Sequence, residues 1–312
     1  SRLVSDDSKE LWTVGRLLKW ATDDFRTRGI EAPRLDAEVL LSHSLGLTRT
    51  EIFLQGDRPL DDAELQALRA LIKRRRSHEP IAYLRGFREF YGRSFHVDAR
   101  VLVPRPDTET LIDVALERTK QIPLSARTLD LCTGSGCVAI TLAKARPTTK
   151  VFACDLSDDA LVVARENALR LGAYNVAFHK ADLFAGIAKV SRIPFDLVVA
   201  NPPYIPSAEC DTLMPDVRLF EPRMALDGGA DGLDLVRRLV AGAPKVMRPQ
   251  GVFALELMAG QAPVVAEMFE SHGFVDVRIA KDLGKIERVV SGVLKERPRR
   301  RPPGDLGPGA VA

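Results

Sequence analysis

The residues Asn201-Pro202-Pro203-Tyr204 directly follow the run Phe195-Asp196-Leu197-Val198-Val199-Ala200. That run is apolar enough to read as a buried strand. Asn-Pro marks its end as a turn, and two prolines in succession fix φ and remove two backbone donors. Pro202 also keeps Asn201 out of the helical region. The predicted result is a stiff strand end that presents an amide, bare carbonyls and an aromatic ring. Such a set suits a planar –NH₂ group, with two acceptors for its two N–H donors and a ring to lie against. Asn201, Pro202, Pro203 and Tyr204 are therefore the candidate acceptor-binding residues, and Asn201, Pro202 and Tyr204 the candidate catalytic ones.

A second constellation lies upstream. Asp130-Leu131-Cys132-Thr133-Gly134-Ser135-Gly136 follows one predicted strand and opens a helix. Gly134 and Gly136 permit unusual φ values and close backbone approach. The spacing is not a full dinucleotide fingerprint, because Cys132 replaces the first glycine and Ala139 the last. A glycine turn can also serve only to pack a helix on a strand. Asp155 ends the next strand, where a carboxylate can accept both hydroxyls of a ribose. Asp182 follows the third strand, where it could accept from an adenine amino group while Leu183 and Phe184 cover the ring. Each aspartate alone could be a helix cap or turn residue. The ordered series of glycine turn, Asp155, Asp182 and Asn201 favours a nucleoside site. No Gly-Lys-Ser/Thr phosphate loop is present, so the cofactor need carry no phosphate. S-adenosyl-L-methionine fits, and Cys132, Thr133, Gly134, Ser135, Gly136, Asp155, Asp182, Leu183 and Asn201 are its expected contacts.

The elements that must position these residues alternate. Candidate strands are Thr128–Leu131, Val151–Asp155, Val176–Lys180, Leu197–Ala200, Val252–Leu257, Val275–Ile279 and Arg288–Val293. Helical patterns between them include Cys137–Lys144, Asp158–Leu171, Leu233–Lys245 and Gln261–Ser271. The alternation predicts an α/β fold with a largely parallel, doubly wound sheet and ligands at the carboxyl ends of its strands. Residues 1–80 read as all-helical. Thr13 is a cap for an apolar face of Val14, Leu17, Leu18, Ala21 and Phe25, a second helix runs from Arg34 to Leu45, a short one near Arg49–Leu54, and Asp61 with Glu64 makes a capping box. Residues 81–103, with aromatics around Gly92, read as a β-hairpin linker. Residues 296–312 are rich in Pro, Gly and Arg and are expected to be disordered.

Composition sets the outer bounds. The chain has 312 residues, 46 % of them apolar, and a net charge of +3, which points to neither nucleic acid nor membrane. No apolar run is long enough to span a bilayer. There is no basic-then-apolar signal segment, and because the chain opens at Ser1 an initiator residue or longer leader is expected to precede it. The four cysteines lack metal-ligand spacing, so reduced thiols in a cytoplasmic protein, with no bound metal, are expected. Basic clusters at Lys73-Arg74-Arg75-Arg76 and Arg297 to Arg301 fit either a solvated surface or an anionic partner. A monomer is the default expectation.

The chain resembles the HemK/PrmC group, the N5-glutamine methyltransferases of peptide chain release factors. Four motifs carry the resemblance: Glu79-Pro80-Ile81-Ala82-Tyr83-Leu84-Arg85-Gly86 with Arg88-Glu89-Phe90, Val103-Pro104-Arg105-Pro106-Asp107-Thr108-Glu109, the glycine turn, and Asn201-Pro202-Pro203-Tyr204. The resemblance implies a Rossmann-like class I methyltransferase sheet over residues 104–295, behind an N-terminal helical bundle that docks the release factor. It implies methyl transfer from S-adenosyl-L-methionine to the glutamine of the Gly-Gly-Gln loop in class 1 release factors. Asn201 Oδ1 and the Pro202 carbonyl would accept the two amide hydrogens, Tyr204 would pack on the amide plane, and Phe90 would line the same pocket. Arg105, Asp107 and Glu109 would belong to the cofactor-side wall. Cys132, where many relatives have glycine, and Leu183, at an often aromatic position, depart from the pattern. The competing readings are a ribosomal-protein glutamine methyltransferase, a nucleic-acid adenine N6 methyltransferase, and a non-enzymatic scaffold on the same fold. The near-neutral charge speaks against a direct nucleic-acid substrate.

Overall fold

The computed structural model describes residues 11–123 and 125–296, so the predicted tail lies outside the described residues apart from Glu296. The chain begins with helices that close on their own apolar faces. Val14–Thr27 starts where the Thr13 hydroxyl accepts the Arg16 N–H, and Pro33–Leu45 stops at Gly46 in the left-handed region. Arg49–Leu54 and Asp62–Arg76 each open with a complete capping box, Thr48 with Glu51 and Asp61 with Glu64. Val14, Leu17, Phe25, Leu40, Leu68 and Ile72 meet in one buried cluster.

Residues 81–103 depart from a plain hairpin. They open with a short helix, Ile81–Arg85, whose Leu84 packs into the bundle core. The hairpin follows as β1 (Phe87–Phe90) and β2 (Arg93–His96), joined by the two-residue turn Tyr91-Gly92. Val101 and Val103 are buried, but their segment forms no strand.

The remaining strands form a single seven-stranded sheet. They are β3 (Arg127–Leu131), β4 (Lys150–Asp155), β5 (Val176–Lys180), β6 (Phe195–Ala200), β7 (Met247–Glu256), β8 (Phe274–Lys281) and β9 (Glu287–Leu294). Their order is β5-β4-β3-β6-β7-β9-β8. The first five are parallel, while β9 runs antiparallel to both β7 and β8. The period-two alternation of side chains divides the core between the two faces. In β6, Val198 and Ala200 join the cluster with the helices Asp234–Val246 and Ala262–Ser271, whereas Leu197 and Val199 join the cluster with Glu109–Arg118 and Cys137–Ala145. Helices on both faces explain why every residue of β6 is buried.

Between β3 and β6 the strand order reverses: β4 and β5 lie to one side and β7 to the other. Helices leaving the two neighbours go to opposite faces, so a crevice opens at their carboxyl ends. The glycine turn follows β3 and Asn201 follows β6, which sets both on the lips of that crevice.

Arg75 ties the bundle to the sheet domain. It is 3 % exposed, and its guanidinium reaches Asp36 at 2.8 Å and Asp216 at 2.7 Å. Replacing it by alanine strands two partly buried carboxylates. Arg75→Ala is expected to cost about 3 kcal/mol of stability. Arg74→Ala, which breaks a solvent-facing pair with Glu79, is expected to cost less than about 1 kcal/mol. Urea denaturation of the two variants separates them, and equal losses would refute the bridging role of Arg75.

Candidate active site

The crevice holds a cavity of about 550 Å³. Cys132, Thr133, Gly134 and Ser135 form one lip, Asp155, Asp182 and Leu183 the floor, and Asn201 with Pro203 the other lip. Arg105 and Thr108 close a third side.

The glycine turn is fixed from below. Asp130, buried in β3, accepts the Thr133 hydroxyl at 2.6 Å, and burial pushes its carboxyl up to about 7. Asp155 accepts the N–H of Gly134 at 2.8 Å on one oxygen and that of Ser157 at 2.9 Å on the other. Burial still holds its pKa above the usual carboxylate range, despite those amide donors. Gly134 has a φ of +54° and its missing Cβ would meet open space, which leaves bare backbone facing the cavity. Gly136 works differently. Its φ is +81°, and a Cβ there would stand 2.9 Å from Ile140 Cδ1 and 3.2 Å from Ala164 Cβ. It does not line the cavity; its bareness lets the helix Cys137–Ala145 start against the neighbouring helix Asp158–Leu171. Cys132 also lies in the left-handed region, at φ 60°, a geometry that suits glycine better. Burial, with several carboxylates nearby, pushes its thiol pKa well up. The four cysteines are free thiols.

Asp182 lines the cavity, and one of its oxygens is paired with Arg238 at 2.8 Å. Arg105 is paired with Glu221 at 2.5 Å, and Arg100 with Asp98 at 2.6 Å. Every arginine in the wall is thus already matched by a carboxylate.

On the opposite lip, Asn201 Nδ2 donates to Thr108 Oγ1 at 3.2 Å. The amide hydrogens of Asn201 are thereby directed at the wall, and Oδ1 is the end left to accept. Pro203 lines the cavity, whereas Pro202 is buried beside it and Tyr204 turns away. The Tyr204 hydroxyl donates to Glu256 Oε1 at 3.1 Å, and its carbonyl accepts from Gln261 Nε2 at 2.9 Å. Burial and the adjacent Glu256 push the Tyr204 pKa up.

Besides Gly136 and Tyr204, which are expected to touch the ligands and do not line the cavity, three further expectations need correction. Phe90 does not line the cavity: it is 2 % exposed and packs edge-on against Phe95 at a centroid distance of 6.0 Å, in a cluster with Leu111 and Ile112. The hairpin lays that face on the helix Glu109–Arg118, which leaves no route to the crevice. Glu109 is not part of the cofactor-side wall either. Its carboxylate accepts the Tyr91 N–H at 2.7 Å and so holds the hairpin turn. Asp107 faces Arg288 at 3.2 Å. The 3₁₀ turn Pro106–Thr108 sends successive side chains to different sides, so of this motif Pro104, Arg105 and Thr108 reach the cavity.

Sequence reasoning passed over Thr108, Glu256 and Gln261. Glu256 did leave a signal, as the lone charge inside the apolar run Val252–Leu257. Thr108 left none, since its partner lies 93 residues away.

A glycine turn and an Asn-Pro-Pro-Tyr corner facing each other across the switch point of such a sheet define a class I methyltransferase. Residues 16–86 match the family described as the PrmC N-terminal domain, and residues 125–289 match one described as a methyltransferase domain. A release factor glutamine methyltransferase of Geobacter sulfurreducens is 43 % identical over 286 residues, which is 92 % of this chain and 98 % of that protein. One of the same name from Chlorobaculum tepidum is 43 % identical over 289 residues, 91 % and 98 % of the two chains. The hMettl16 catalytic domain, solved with the MAT2A 3'UTR hairpin 6, superposes with a TM-score of 0.54 at 14 % identity, covering 76 % of this chain and 83 % of that one, which shows a shared fold. The chain belongs to the release factor glutamine methyltransferase family.

Gly136→Ala is expected to lower stability by about 2 to 4 kcal/mol, from left-handed strain plus overpacking. Gly134→Ala carries the strain alone, about 1 to 2 kcal/mol. Chemical denaturation of both variants tests the division, and a costlier Gly134→Ala would overturn it.

Proposed function

We propose that this chain transfers a methyl group from S-adenosyl-L-methionine to the side-chain amide nitrogen, N5, of the glutamine in the Gly-Gly-Gln loop of class 1 peptide chain release factors. The observation that carries this reading is the orientation of Asn201, which lines the cavity and whose Nδ2 is committed to Thr108, so that Oδ1 is the end left to accept. The names of the family members give the acceptor as a release factor glutamine.

The cavity suits the proposed cofactor. Its volume of about 550 Å³ lies within the range of small-molecule sites. Asp155 stands at the end of β4 for the ribose hydroxyls, Asp182 and Leu183 for the adenine, and the bare backbone at Gly134 allows close approach. Among the described residues each arginine of the wall is already ion-paired, and S-adenosyl-L-methionine, which carries no phosphate, asks for no free cation. When bound, S-adenosyl-L-methionine supplies a methyl group made electrophilic by positive sulfur.

The chain's own residues solve the harder half of the problem. An amide nitrogen is a poor nucleophile because its lone pair is delocalised into the carbonyl. Asn201 Oδ1 and the Pro202 carbonyl each accept one of its hydrogens, which fixes the nitrogen and opposes the positive charge that grows on it. Tyr204, held at its hydroxyl by Glu256 and at its carbonyl by Gln261, keeps this corner from moving. The surplus proton leaves to water after transfer.

Asn201→Ala is expected to lower kcat by about 10² to 10³, the usual loss for one preorganised partner of developing charge. The dissociation constant for S-adenosyl-L-methionine should stay within about threefold, since Asn201 acts on the acceptor. Radioactive methyl transfer to a purified release factor, with a Gln→Ala control in its Gly-Gly-Gln loop, measures the first quantity and calorimetry the second. Near-normal turnover would reject the assignment.

A further inference from the structure

The loop that follows the Asn-Pro-Pro-Tyr corner closes on itself at its ends. The Ile205 N–H donates to the Leu226 carbonyl at 3.0 Å, and the Gly228 N–H donates back to the Ile205 carbonyl at 2.8 Å. Between those ends the loop is tied down twice. Asp216, in the short helix Pro215–Arg218, takes Arg75 at 2.7 Å and lies 3.2 Å from His78 Nδ1. Glu221, 6 % exposed, accepts the Val103 N–H at 3.1 Å and the Arg105 guanidinium at 2.5 Å. The first tie joins the loop to the helix Asp62–Arg76 of the N-terminal bundle, the second to the wall of the cavity.

A stiff stretch of backbone links the two ties. The Leu219 N–H bonds the Pro215 carbonyl and the Glu221 N–H bonds the Val217 carbonyl, each at 3.0 Å, so one helical run carries both carboxylates. Phe220, between them, packs on the cluster of Tyr83, Val97, Val101 and Val103.

The wall segment needs such support. Val101 and Val103 lie outside any strand, so their buried backbone groups must find partners elsewhere. The Val101 carbonyl accepts the Tyr83 hydroxyl at 2.6 Å, and the Val103 N–H has Glu221. Pro104 and Arg105, next after Val103, line the cavity, and so do Pro222, Met224 and Ala225, next after Glu221. One carboxylate thus joins wall segments that lie 116 residues apart in the chain. Burial holds that carboxyl above the usual range against the pull of Arg105 and the Val103 amide. A carboxylate kept there repays its desolvation only while both donors stay in place.

We propose that Glu221 is a positioning residue for the cofactor cavity and that the N-terminal bundle holds it in place through Arg75 and Asp216. The bundle then has a task besides meeting the release factor: it keeps two walls of the cavity ordered before the cofactor arrives. This rests on the cofactor reading above. Without the ties, the cost of ordering those walls opposes binding. The corner that carries Asn201 is held separately, at Tyr204 by Glu256 and Gln261. Loosening the walls therefore weakens cofactor binding more than it slows transfer.

The test uses the full chain. Calorimetry gives the Kd for S-adenosyl-L-methionine, and methyl transfer to a purified release factor gives kcat and KM. Glu221→Gln should raise Kd and KM for S-adenosyl-L-methionine about 5- to 20-fold, with kcat at saturation within about twofold of wild type. Asp216→Ala should raise both constants about 3- to 5-fold by the same route. The double variant should bind no more weakly than Glu221→Gln alone, because both changes cut one path. Phe269→Leu, a truncation in the core among Phe253 and Phe274, should lower Tm and leave Kd unchanged. That control separates wall ordering from a general loss of stability. Should Glu221→Gln fail to fold, Asp216→Ala decides alone. The proposal is overturned by a wild-type Kd in either single variant, by a fall in kcat as large as the rise in KM, by multiplied losses in the double variant, or by an equal rise in Phe269→Leu. A wild-type chain that binds no S-adenosyl-L-methionine would instead sink the cofactor reading, and the inference with it.

Discussion

The parallel pairing of β3 with β6 is the constraint on which the site depends. Asp130 lies opposite Val199 and Leu131 opposite Ala200 in that register. The next residues on each strand are therefore the start of the glycine turn and Asn201. A shift of one residue would flip every side chain of β6 to the other face and bury Asn201's neighbours wrongly. Such a shift is blocked because both faces of β6 are packed, Val198 and Ala200 into one core, Leu197 and Val199 into the other. Hydrophobic burial thus sets the distance between the two halves of the site.

The polar groups of the site are held from behind by a second layer of buried ones. Asp130 braces Thr133 beneath the cofactor lip, and Glu256 braces Tyr204 beneath the acceptor lip. Both carboxyls sit at strand ends, are wholly buried and are raised to about 7. A site assembled this way trades stability for rigidity, since each buried acid weakens the fold as it ionises. The two lips rest on different strands, so the braces can fix each side independently.

Much of this was legible in the sequence, for local reasons. Strand β6 could be read because a run buried on both faces is apolar throughout, and the corner after it because proline restricts its own φ and that of its predecessor. The capping box of Asp61 with Glu64 involves residues three apart, which no distant contact can disguise. Phe90 misled because an aromatic beside a functional motif looks the same whether it faces a ligand or a core. Glu109 misled for a related reason: a carboxylate at a helix start can serve any donor that the fold brings to it, and here that donor is the Tyr91 N–H.

The sequence by itself determined the alternating elements, the glycine turn, the proline-stiffened corner and the residue types able to bind a nucleoside and an amide. These follow from short-range rules of backbone geometry and side-chain periodicity. Only the tertiary structure decided that Asn201 presents its oxygen, because that choice depends on Thr108, 93 residues away along the chain. A hydrogen bond's direction is set by every partner at once, and partners from distant stretches of chain meet only when the sheet has formed.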